Sequence, residues 1–350
     1  MKPNTVCNLL AALSSLFVLQ AAHAADTEVV LATWGGTWGA AIDRNAIKPF
    51  EKEFGVKVRV ISGVSLANIR MIASQRAHPQ IDLIMSTAQD EVRAYNDGLL
   101  DPVDATSVPN LSAIPPVGLR RDSQGRAMGA GMWVYPYGIA YRTDQKLPEL
   151  KCWSDLWKSA LKDKVGVSSP RYMNGYFLLM INRLAGGTEA NVQPGLDRIH
   201  QMGDNLLAVI DDSAAQQRLL ASGEVSAVPM ISSSAYKLMD SGAPVKFVVP
   251  CEGAPAGLDT LSLVKNAPHR DAALKFMNFY INAKIIGAVA AELQIMPVND
   301  QVPIAQADSK HVLSKTDMAK LVSFDDQSVI RNQDAWTAAW DREIGAMTNR

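Results

Sequence analysis

The sequence has no excess of either charge. Lysine and arginine together number 34, aspartate and glutamate 35, and the net charge is −1 at pH 7. A nucleic-acid-binding protein would show a basic patch or a high pI, so we expect no nucleic acid partner. Long hydrophobic runs are missing too. After residue 24 there is no stretch of about 18 consecutive apolar residues, so no transmembrane helix is predicted.

Motifs of catalysis and metal binding are also absent. The sequence contains no G-x-S-x-G, no H-E-x-x-H and no glycine-rich phosphate loop followed by Lys-Ser or Lys-Thr. His78, His200, His269 and His311 are scattered, without the spacing of metal ligands. We therefore expect a protein that is not an enzyme, with no cofactor and no resident metal.

Cysteine is rare, and Cys7, Cys152 and Cys251 are the three examples. Cys7 lies in the N-terminal segment outside a lipoprotein-type cleavage context, so we expect no lipid anchor. For Cys152 and Cys251 the sequence leaves two interpretations open. They form a disulfide in an exported protein, or they are two small buried apolar side chains.

The first 24 residues have the features of a secretory signal peptide. Lys2 supplies the positive start, residues 9–19 are apolar except for two serines, and Ala22-His23-Ala24 fits an A-x-A cleavage site. This segment is too short and wrongly flanked to be a retained membrane span. We predict cleavage after Ala24 and a soluble periplasmic product.

Short apolar strand patterns alternate with helical patterns along the rest of the chain. Such alternation predicts an α/β fold in which mostly parallel sheets are flanked by helices. The length of 350 residues exceeds what a single core usually holds, which favours two lobes. Strands are predicted at residues 29–32, 56–61, 82–85, 138–142, 165–168, 245–249 and 261–264.

Two tryptophans follow the first predicted strand, in the run Thr33-Trp34-Gly35-Gly36-Thr37-Trp38. Ligands of open α/β sheets bind at the carboxyl ends of strands. The run therefore indicates an aromatic platform for a small molecule with a cationic or apolar face. The alternative is that one tryptophan packs under the following helix while the glycines only turn the chain.

Further stretches of the sequence carry a resemblance to a known family. Besides Trp34-Gly35-Gly36, these stretches are residues 50–58 (FEKEFGVKV), 82–84 (DLI), 153–157 (WSDLW), 223–225 (GEV), 249–253 (VPCEG) and 271–279 (DAALKFMNF). In this order and spacing, the chain resembles the periplasmic solute-binding proteins of ABC importers, in the spermidine/putrescine-binding (polyamine-binding) subgroup. The resemblance extends over nearly all of the chain after residue 24.

The resemblance implies a type II periplasmic binding protein fold with a ligand cleft between two lobes. Lobe 1 would comprise residues 25–137 and 258–350, and lobe 2 residues 138–257. The chain would cross between the lobes near residues 136–142 and 257–264. We expect a monomer that closes on a small-molecule ligand and delivers it to the transmembrane permease subunits of an ABC transporter.

The same resemblance selects the candidate site residues. Trp34 and Trp38 match the family's aromatic positions, and Asp259 matches the acid that accepts a hydrogen bond from a substrate ammonium. Ser86 and Thr87 end a strand where the family contacts ligand through hydroxyls. Ser232 follows a position from which a family tryptophan is missing. The full set is Trp34, Trp38, Ser86, Thr87, Trp133, Tyr135, Tyr137, Arg171, Tyr172, Ser232 and Asp259.

The stretch after the strand at 165–167 departs from the polyamine pattern. Residues 168–175 (SSPRYMNG) contain no carboxylate where the subgroup carries acids, and a family aromatic is also missing at Gly257. Arg171 would repel a diamine but suits a carboxylate or phosphonate. One alternative ligand is therefore a zwitterionic or acidic solute, similar to aminobutyrate or an aminophosphonate. Another is ferric iron held by Tyr135, Tyr137 and Tyr172.

The signal peptide can be tested on the exported protein. Expression of the whole chain in a Gram-negative host should give a periplasmic product whose first residue is Ala25, because Ala24 ends the cleavage motif. Intact-mass measurement and N-terminal sequencing of the periplasmic fraction check this outcome. A product that keeps residues 1–24 would contradict it.

Overall fold

The computed structural model describes residues 28–293, 295–303 and 315–347. The predicted signal peptide therefore lies outside the described residues. Within them, no helix is both long and apolar enough to cross a membrane.

Strands and helices alternate along the described chain. The strands are β1 (Glu28–Thr33), β2 (Lys57–Ser62), β3 (Leu83–Thr87), β4 (Leu100–Asp101), β5 (Ala130–Arg142), β6 (Val165–Val167), β7 (Leu206–Val209), β8 (Ala227–Ile231), β9 (Val245–Val248), β10 (Ala254–Val264), β11 (Met296–Pro297) and β12 (Leu321–Val322). The helices are α1 (Gly36–Ile42), α2 (Lys48–Phe54), α3 (Ser65–Ser74), α4 (Ala88–Asn96), α5 (Tyr176–Leu184), α6 (Gln193–His200), α7 (Ser213–Ser222), α8 (Ser232–Asp240), α9 (Arg270–Tyr280), α10 (Ala283–Leu293), α11 (Lys315–Met318) and α12 (Asp326–Glu343). The predicted α/β class is confirmed.

The strands form two sheets that share β5. In the first sheet, β1 pairs in parallel with β2 and β3, and β10 runs antiparallel between β3 and β5. In the second sheet, β6 pairs in parallel with β7 and β8, and β8 and β9 run antiparallel to β5. Buried strands such as β1 are almost continuously apolar because helices cover both faces of their sheet. We call the body on the first sheet lobe 1 and the body on the second sheet lobe 2.

The first crossing between the lobes lies within β5. Pro136 pairs with β10 in the first sheet, whereas the next residue, Tyr137, pairs with Ile231 in the second. β9 ends at Val248 in the second sheet, and Ala256 pairs with Pro136 in the first. We call residues 249–253, which lie between β9 and β10, the return segment. The crossings expected near residues 136–142 and 257–264 stay predictions.

Each lobe has its own apolar core. Phe50, Trp133 and Phe276 lie in the main cluster of lobe 1, and Tyr137 and Trp153 lie in that of lobe 2. The apolar face of the last helix, α12, packs into the lobe 2 cluster. The residues of that face are Val329, Trp336, Trp340 and Ile344.

Polar contacts join the lobes beside β5. Gln89, near the start of α4, donates hydrogen bonds to the Tyr176 hydroxyl at 3.1 Å and to Oδ1 of Asp326 at 2.8 Å. Arg120 donates to the other carboxylate oxygen of Asp326. Tyr176 begins α5 in the core of lobe 2, and Asp326 begins α12. The start of α4 is thus bonded to two helices that pack on lobe 2.

Cys152 and Cys251 form a disulfide, with their Cα atoms 4.8 Å apart. The structure therefore decides between the two interpretations that the sequence left open. Cys251 lies in the return segment, and the disulfide ties that segment to the start of a 3₁₀-helix, Trp153–Trp157, in lobe 2. Hydrogen bonds strengthen the junction: Trp153 donates its indole N–H to the Gly253 carbonyl at 2.8 Å and its backbone N–H to the Glu252 carboxylate at 2.7 Å.

Removal of the disulfide should destabilise the protein. The bond joins cysteines 99 residues apart in sequence, and a closed loop of that size restricts the unfolded chain. We expect a Cys152→Ser/Cys251→Ser double variant to lose about 2–4 kcal/mol of unfolding free energy, measured by urea titration. Reductant should lower the wild type to the level of the double variant and leave the variant unchanged. A wild type indifferent to full reduction would contradict the prediction.

Candidate ligand-binding site

Three tryptophans meet at the carboxyl end of β1. The ring centroids of Trp34 and Trp38 are 5.9 Å apart, and those of Trp133 lie 6.4 Å from Trp34 and 5.5 Å from Trp38. Gly36 has φ +60°, a left-handed conformation that glycine adopts without strain, and it starts α1 directly after β1. Trp133 is fully buried, whereas Trp34 and Trp38 are partly exposed. Trp34 and Trp38 thus form an aromatic corner backed by a core tryptophan.

Asp259 lies at the base of this corner. Strand pairing places it directly opposite Trp133, next to a register shift between β10 and β5. The Trp133 indole N–H donates to Oδ2 of Asp259 at 2.7 Å, and the Tyr135 hydroxyl donates to Oδ1 at 3.3 Å. Asp259 is 6% exposed. Burial raises its pKa to about 7, although both hydrogen bonds act in the opposite direction.

The position of the Tyr135 ring explains why residue 257 is glycine and not an aromatic residue. Gly257 pairs with Tyr135 across β10 and β5, and an added Cβ would lie 1.9 Å from Cε2 of the Tyr135 ring. The Tyr135 ring therefore occupies the space that a side chain at position 257 would need. The aromatic surface comes from β5 instead of β10.

Ser86 and Thr87 end β3, beside Asp259. Thr87 pairs with Asp259 across the sheet, and its hydroxyl accepts a hydrogen bond from the Asp90 N–H at 3.3 Å, which caps α4. Ser86 is buried, and its hydroxyl has no hydrogen-bond partner among the described residues. The Tyr280 hydroxyl, behind Trp133, is likewise unpartnered there. Thr87 thus lies opposite Asp259 in the sheet, and its hydroxyl is already used in a helix cap.

Lobe 2 contains three of the other candidate residues, Tyr137, Tyr172 and Ser232. The Tyr137 hydroxyl donates to Oγ of Ser168 at 3.0 Å, and Tyr137 itself is fully buried in the lobe 2 core. Tyr172 is half-buried and packs against the same core. Ser232 is buried at the first position of α8. Trp133 and Tyr135 donate hydrogen bonds to Asp259. Tyr137, two residues beyond Tyr135 on β5, packs instead in the core of lobe 2.

Arg171 is held in an exposed ion pair. Its two terminal guanidinium nitrogens donate to the two carboxylate oxygens of Asp341 at 2.9 and 2.5 Å. About half of each side chain is exposed, 52% and 50%. This bidentate pairing on α12 occupies the fork that a ligand carboxylate would need. The structure does not bring Arg171 and Asp259 together by any described contact.

Lobe 2 also holds a carboxylate, Asp211, that is not among the residues predicted from the sequence. Asp211 follows β7 and accepts hydrogen bonds from the backbone N–H of Ser169 at 2.7 Å and from its hydroxyl at 2.5 Å. The signal was available in principle, since Asp211-Asp212 directly follows an apolar strand. Its significance depends on β7 lying parallel to β6, which brings both carboxyl ends to one edge.

Two α/β lobes joined by long shared strands form the fold of the solute-binding class of proteins. The chain belongs to the bacterial extracellular solute-binding protein family, whose family model matches residues 45–340.

Comparison with known proteins supports this family and fold. The chain is 22% identical to the spermidine/putrescine-binding periplasmic protein of Escherichia coli, over 98% of this chain and 94% of that protein. It is similar in structure to an extracellular solute-binding protein from Bordetella parapertussis, with TM-score 0.81, 23% identity and coverage of 91% and 99%. PotD of Streptococcus pneumoniae gives TM-score 0.71, 17% identity and coverage of 89% and 99%. A structure described as the Atu4243–GABA receptor gives 0.70, 19%, and coverage of 89% and 96%.

The raised pKa of Asp259 predicts how stability depends on pH. In the unfolded chain this group ionises near 3.8, but in the fold it keeps its proton to about pH 7. Its stabilising contribution is therefore complete below pH 3.8 and is lost as pH rises through 7. At pH 8 we expect Asp259→Asn to be more stable than the wild type and to unfold at a higher temperature. The difference in unfolding free energy between the variant and the wild type should be about 2 kcal/mol larger at pH 8 than at pH 5.

Asp155→Asn is the control of opposite sign. Although burial acts to raise its pKa, hydrogen bonds from the backbone of Lys151 and Cys152 and from the Lys158 side chain hold the pKa of Asp155 below its ordinary value. Its stabilisation is present above that ordinary value and lost in acid, so this variant should be less stable than wild type at pH 8. Thermal unfolding monitored by circular dichroism measures both. Equal shifts for Asp259→Asn at pH 5 and pH 8 would contradict the prediction.

Proposed function

We propose that this protein is the periplasmic binding component of an ABC importer, and that it captures a small amine-bearing solute such as putrescine or spermidine. The observation that carries the proposal is the buried Asp259 carboxylate at the base of the Trp34–Trp38–Trp133 corner. It serves as a receptor and not as a catalyst, and it acts as a monomer.

The chemistry of the corner suits an ammonium group. A cation over indole faces is attracted by the ring quadrupole, more strongly when water is excluded. The same cation donates charge-assisted hydrogen bonds to a carboxylate, which are stronger than neutral ones. Burial makes the ionised form of Asp259 costly in the unliganded protein, and a bound ammonium compensates by restoring a charge partner. The corner therefore favours a cation over a neutral or anionic group.

Closure of the lobes would complete the site. Asp259, Trp34 and Trp38 belong to lobe 1, and Tyr172 and Ser232 belong to lobe 2. The partner change between Pro136 and Tyr137 supplies one crossing about which the lobes rotate, and residues 249–253 supply the other. A ligand that contacts both walls binds the closed form better and shifts the equilibrium towards it. The closed shape is what the permease would then recognise.

The two alternatives raised by the sequence receive less support. A zwitterionic or acidic solute needs a free guanidinium, whereas Arg171 is engaged by Asp341. Ferric iron needs ionised tyrosines as hard oxygen ligands. Burial instead raises the pKa values of Tyr135, Tyr137 and Tyr172 above their ordinary value, which opposes ionisation.

Titration calorimetry on the purified mature chain tests the ligand class. We expect putrescine or spermidine to bind at least tenfold more tightly than 4-aminobutyrate or an aminophosphonate. Asp259→Asn should weaken amine binding by about 10- to 100-fold, because it removes the charge from a desolvated contact. Wild-type affinity should also fall about tenfold for each pH unit below 7, as protonation competes with the ligand.

Arg171→Ala is the control for the alternative. It leaves the aromatic corner intact, so amine affinity should change less than threefold. Preferential binding of 4-aminobutyrate or the aminophosphonate, abolished by Arg171→Ala, would replace the proposed ligand class with the zwitterionic one. Amine binding that is unaltered in Asp259→Asn would refute the role of the carboxylate.

A further inference from the structure

We propose that Cys152, Cys251 and Glu252 form a zinc site in the reduced protein, in which two thiolates and one carboxylate bind Zn²⁺ in place of the disulfide. The oxidised protein does not have this site, because its two sulfurs are bonded to each other. The site lies at the junction between the return segment and lobe 2. The inference does not depend on which solute the protein binds.

The three ligand groups lie close together. The sulfurs of Cys152 and Cys251 and a carboxylate oxygen of Glu252 are all within 4.8 Å of one another. In a tetrahedral site with Zn–S bonds of about 2.3 Å and Zn–O bonds of about 2.1 Å, the ligand atoms are about 3.6–3.8 Å apart. Once the bond between the sulfurs is broken, shifts of roughly 1 Å in each side chain give this spacing.

Hydrogen bonds hold the two cysteine-bearing segments together independently of the disulfide. The Cys251 N–H donates to the Lys151 carbonyl at 2.8 Å. The indole N–H of Trp153, a fully buried side chain, donates to the Gly253 carbonyl at 2.8 Å. Reduction of the cysteines breaks neither bond. The two thiols of the reduced protein therefore stay in neighbouring positions, and a preorganised site costs little entropy to assemble.

Glu252 is oriented towards the cysteines by backbone donors. Its Oε2 accepts from the Trp153 N–H at 2.7 Å, and its Oε1 accepts from the Ser154 N–H at 3.2 Å. Both donors are neutral, and each carboxylate oxygen keeps a lone pair. The nearby acid Glu149 instead forms ion pairs with two lysines. Glu252 is therefore the carboxylate that is placed to complete the site.

The donor set determines the class of metal. Zn²⁺ binds cysteine sulfur and glutamate oxygen, whereas Mg²⁺ and Ca²⁺ prefer oxygen alone. A dithiol reductant gives two electrons and two protons to the disulfide and is itself oxidised to a disulfide. Zn²⁺ then displaces both thiol protons, and water takes the fourth position. Cys251 is exposed, and Cys152 and Glu252 are partly exposed, so the reductant and the ion can reach them from solvent.

Metal titration of the reduced mature chain tests the proposal. We would reduce the protein in metal-free buffer with a phosphine, which becomes the phosphine oxide, and confirm folding by circular dichroism. Titration with Zn²⁺ against a chromophoric chelator should give one ion per reduced chain and none per oxidised chain. Excess Mg²⁺ or Ca²⁺ should not compete. Co²⁺ in place of Zn²⁺ should give a thiolate-to-metal absorption band, a signature that only sulfur ligation produces.

Isosteric variants separate the ligands from general acidity. Glu252→Gln keeps an acceptor for the backbone but removes the charged ligand, so zinc affinity should fall about tenfold or more. Glu149→Gln is the matched control. It removes the same charge three residues before Cys152, and zinc affinity should change less than about threefold, because Glu149 is paired with lysines. Cys152→Ser/Cys251→Ser should bind no zinc.

Stability gives a second measurement. Zn²⁺ should raise the unfolding temperature of the reduced wild type by about 3 °C or more and leave the double cysteine variant unchanged, because the ion binds only the folded site. If the reduced chain is unfolded without metal, Zn²⁺ should restore its circular dichroism signal. Failure to bind zinc in the reduced state, or equal binding by the oxidised protein or by the double variant, would overturn the inference. Unaltered zinc affinity in Glu252→Gln would overturn the three-ligand site.

Discussion

The site depends on one constraint, the removal of a carboxylate from water between two long antiparallel strands. Register between β10 and β5 sets Asp259 against Trp133 and brings Tyr135 within hydrogen-bond distance. Two donors from one strand do not replace the lost hydration, so the carboxyl group keeps a high pKa. The fold thus carries an electrostatic cost at this one residue, which the proposed amine ligand would relieve.

The same two strands organise the rest of the molecule. β5 supplies the aromatic donors to lobe 1 and then, from Tyr137 onward, forms the middle of the second sheet. A side chain at position 257 would displace the Tyr135 ring, so the aromatic surface and the backbone opposite it are interdependent. The position of the carboxylate and the geometry of the crossing cannot be altered separately.

The apolar pattern of neighbouring residues predicted part of this structure. It could not predict contacts between residues that are far apart in the sequence. The strand before Trp34 was predictable, because apolar periodicity is a property of neighbouring residues. The contacts of Asp211 and Arg171 were not. Asp211 meets Ser169 because β6 pairs with β7, and Arg171 is engaged by Asp341, a residue 170 positions away. Likewise, the attachment of α12 to lobe 2 depends on packing that no local pattern encodes.

The start of α4 connects the end of β3 with two helices that pack on lobe 2. Thr87 caps this helix beside the site, and Gln89, two residues on, holds Tyr176 and Asp326. Both sets of bonds lie within the first turn of one helix. A change in the position of the end of β3 would therefore also change the contacts of Gln89 with two helices that pack on lobe 2.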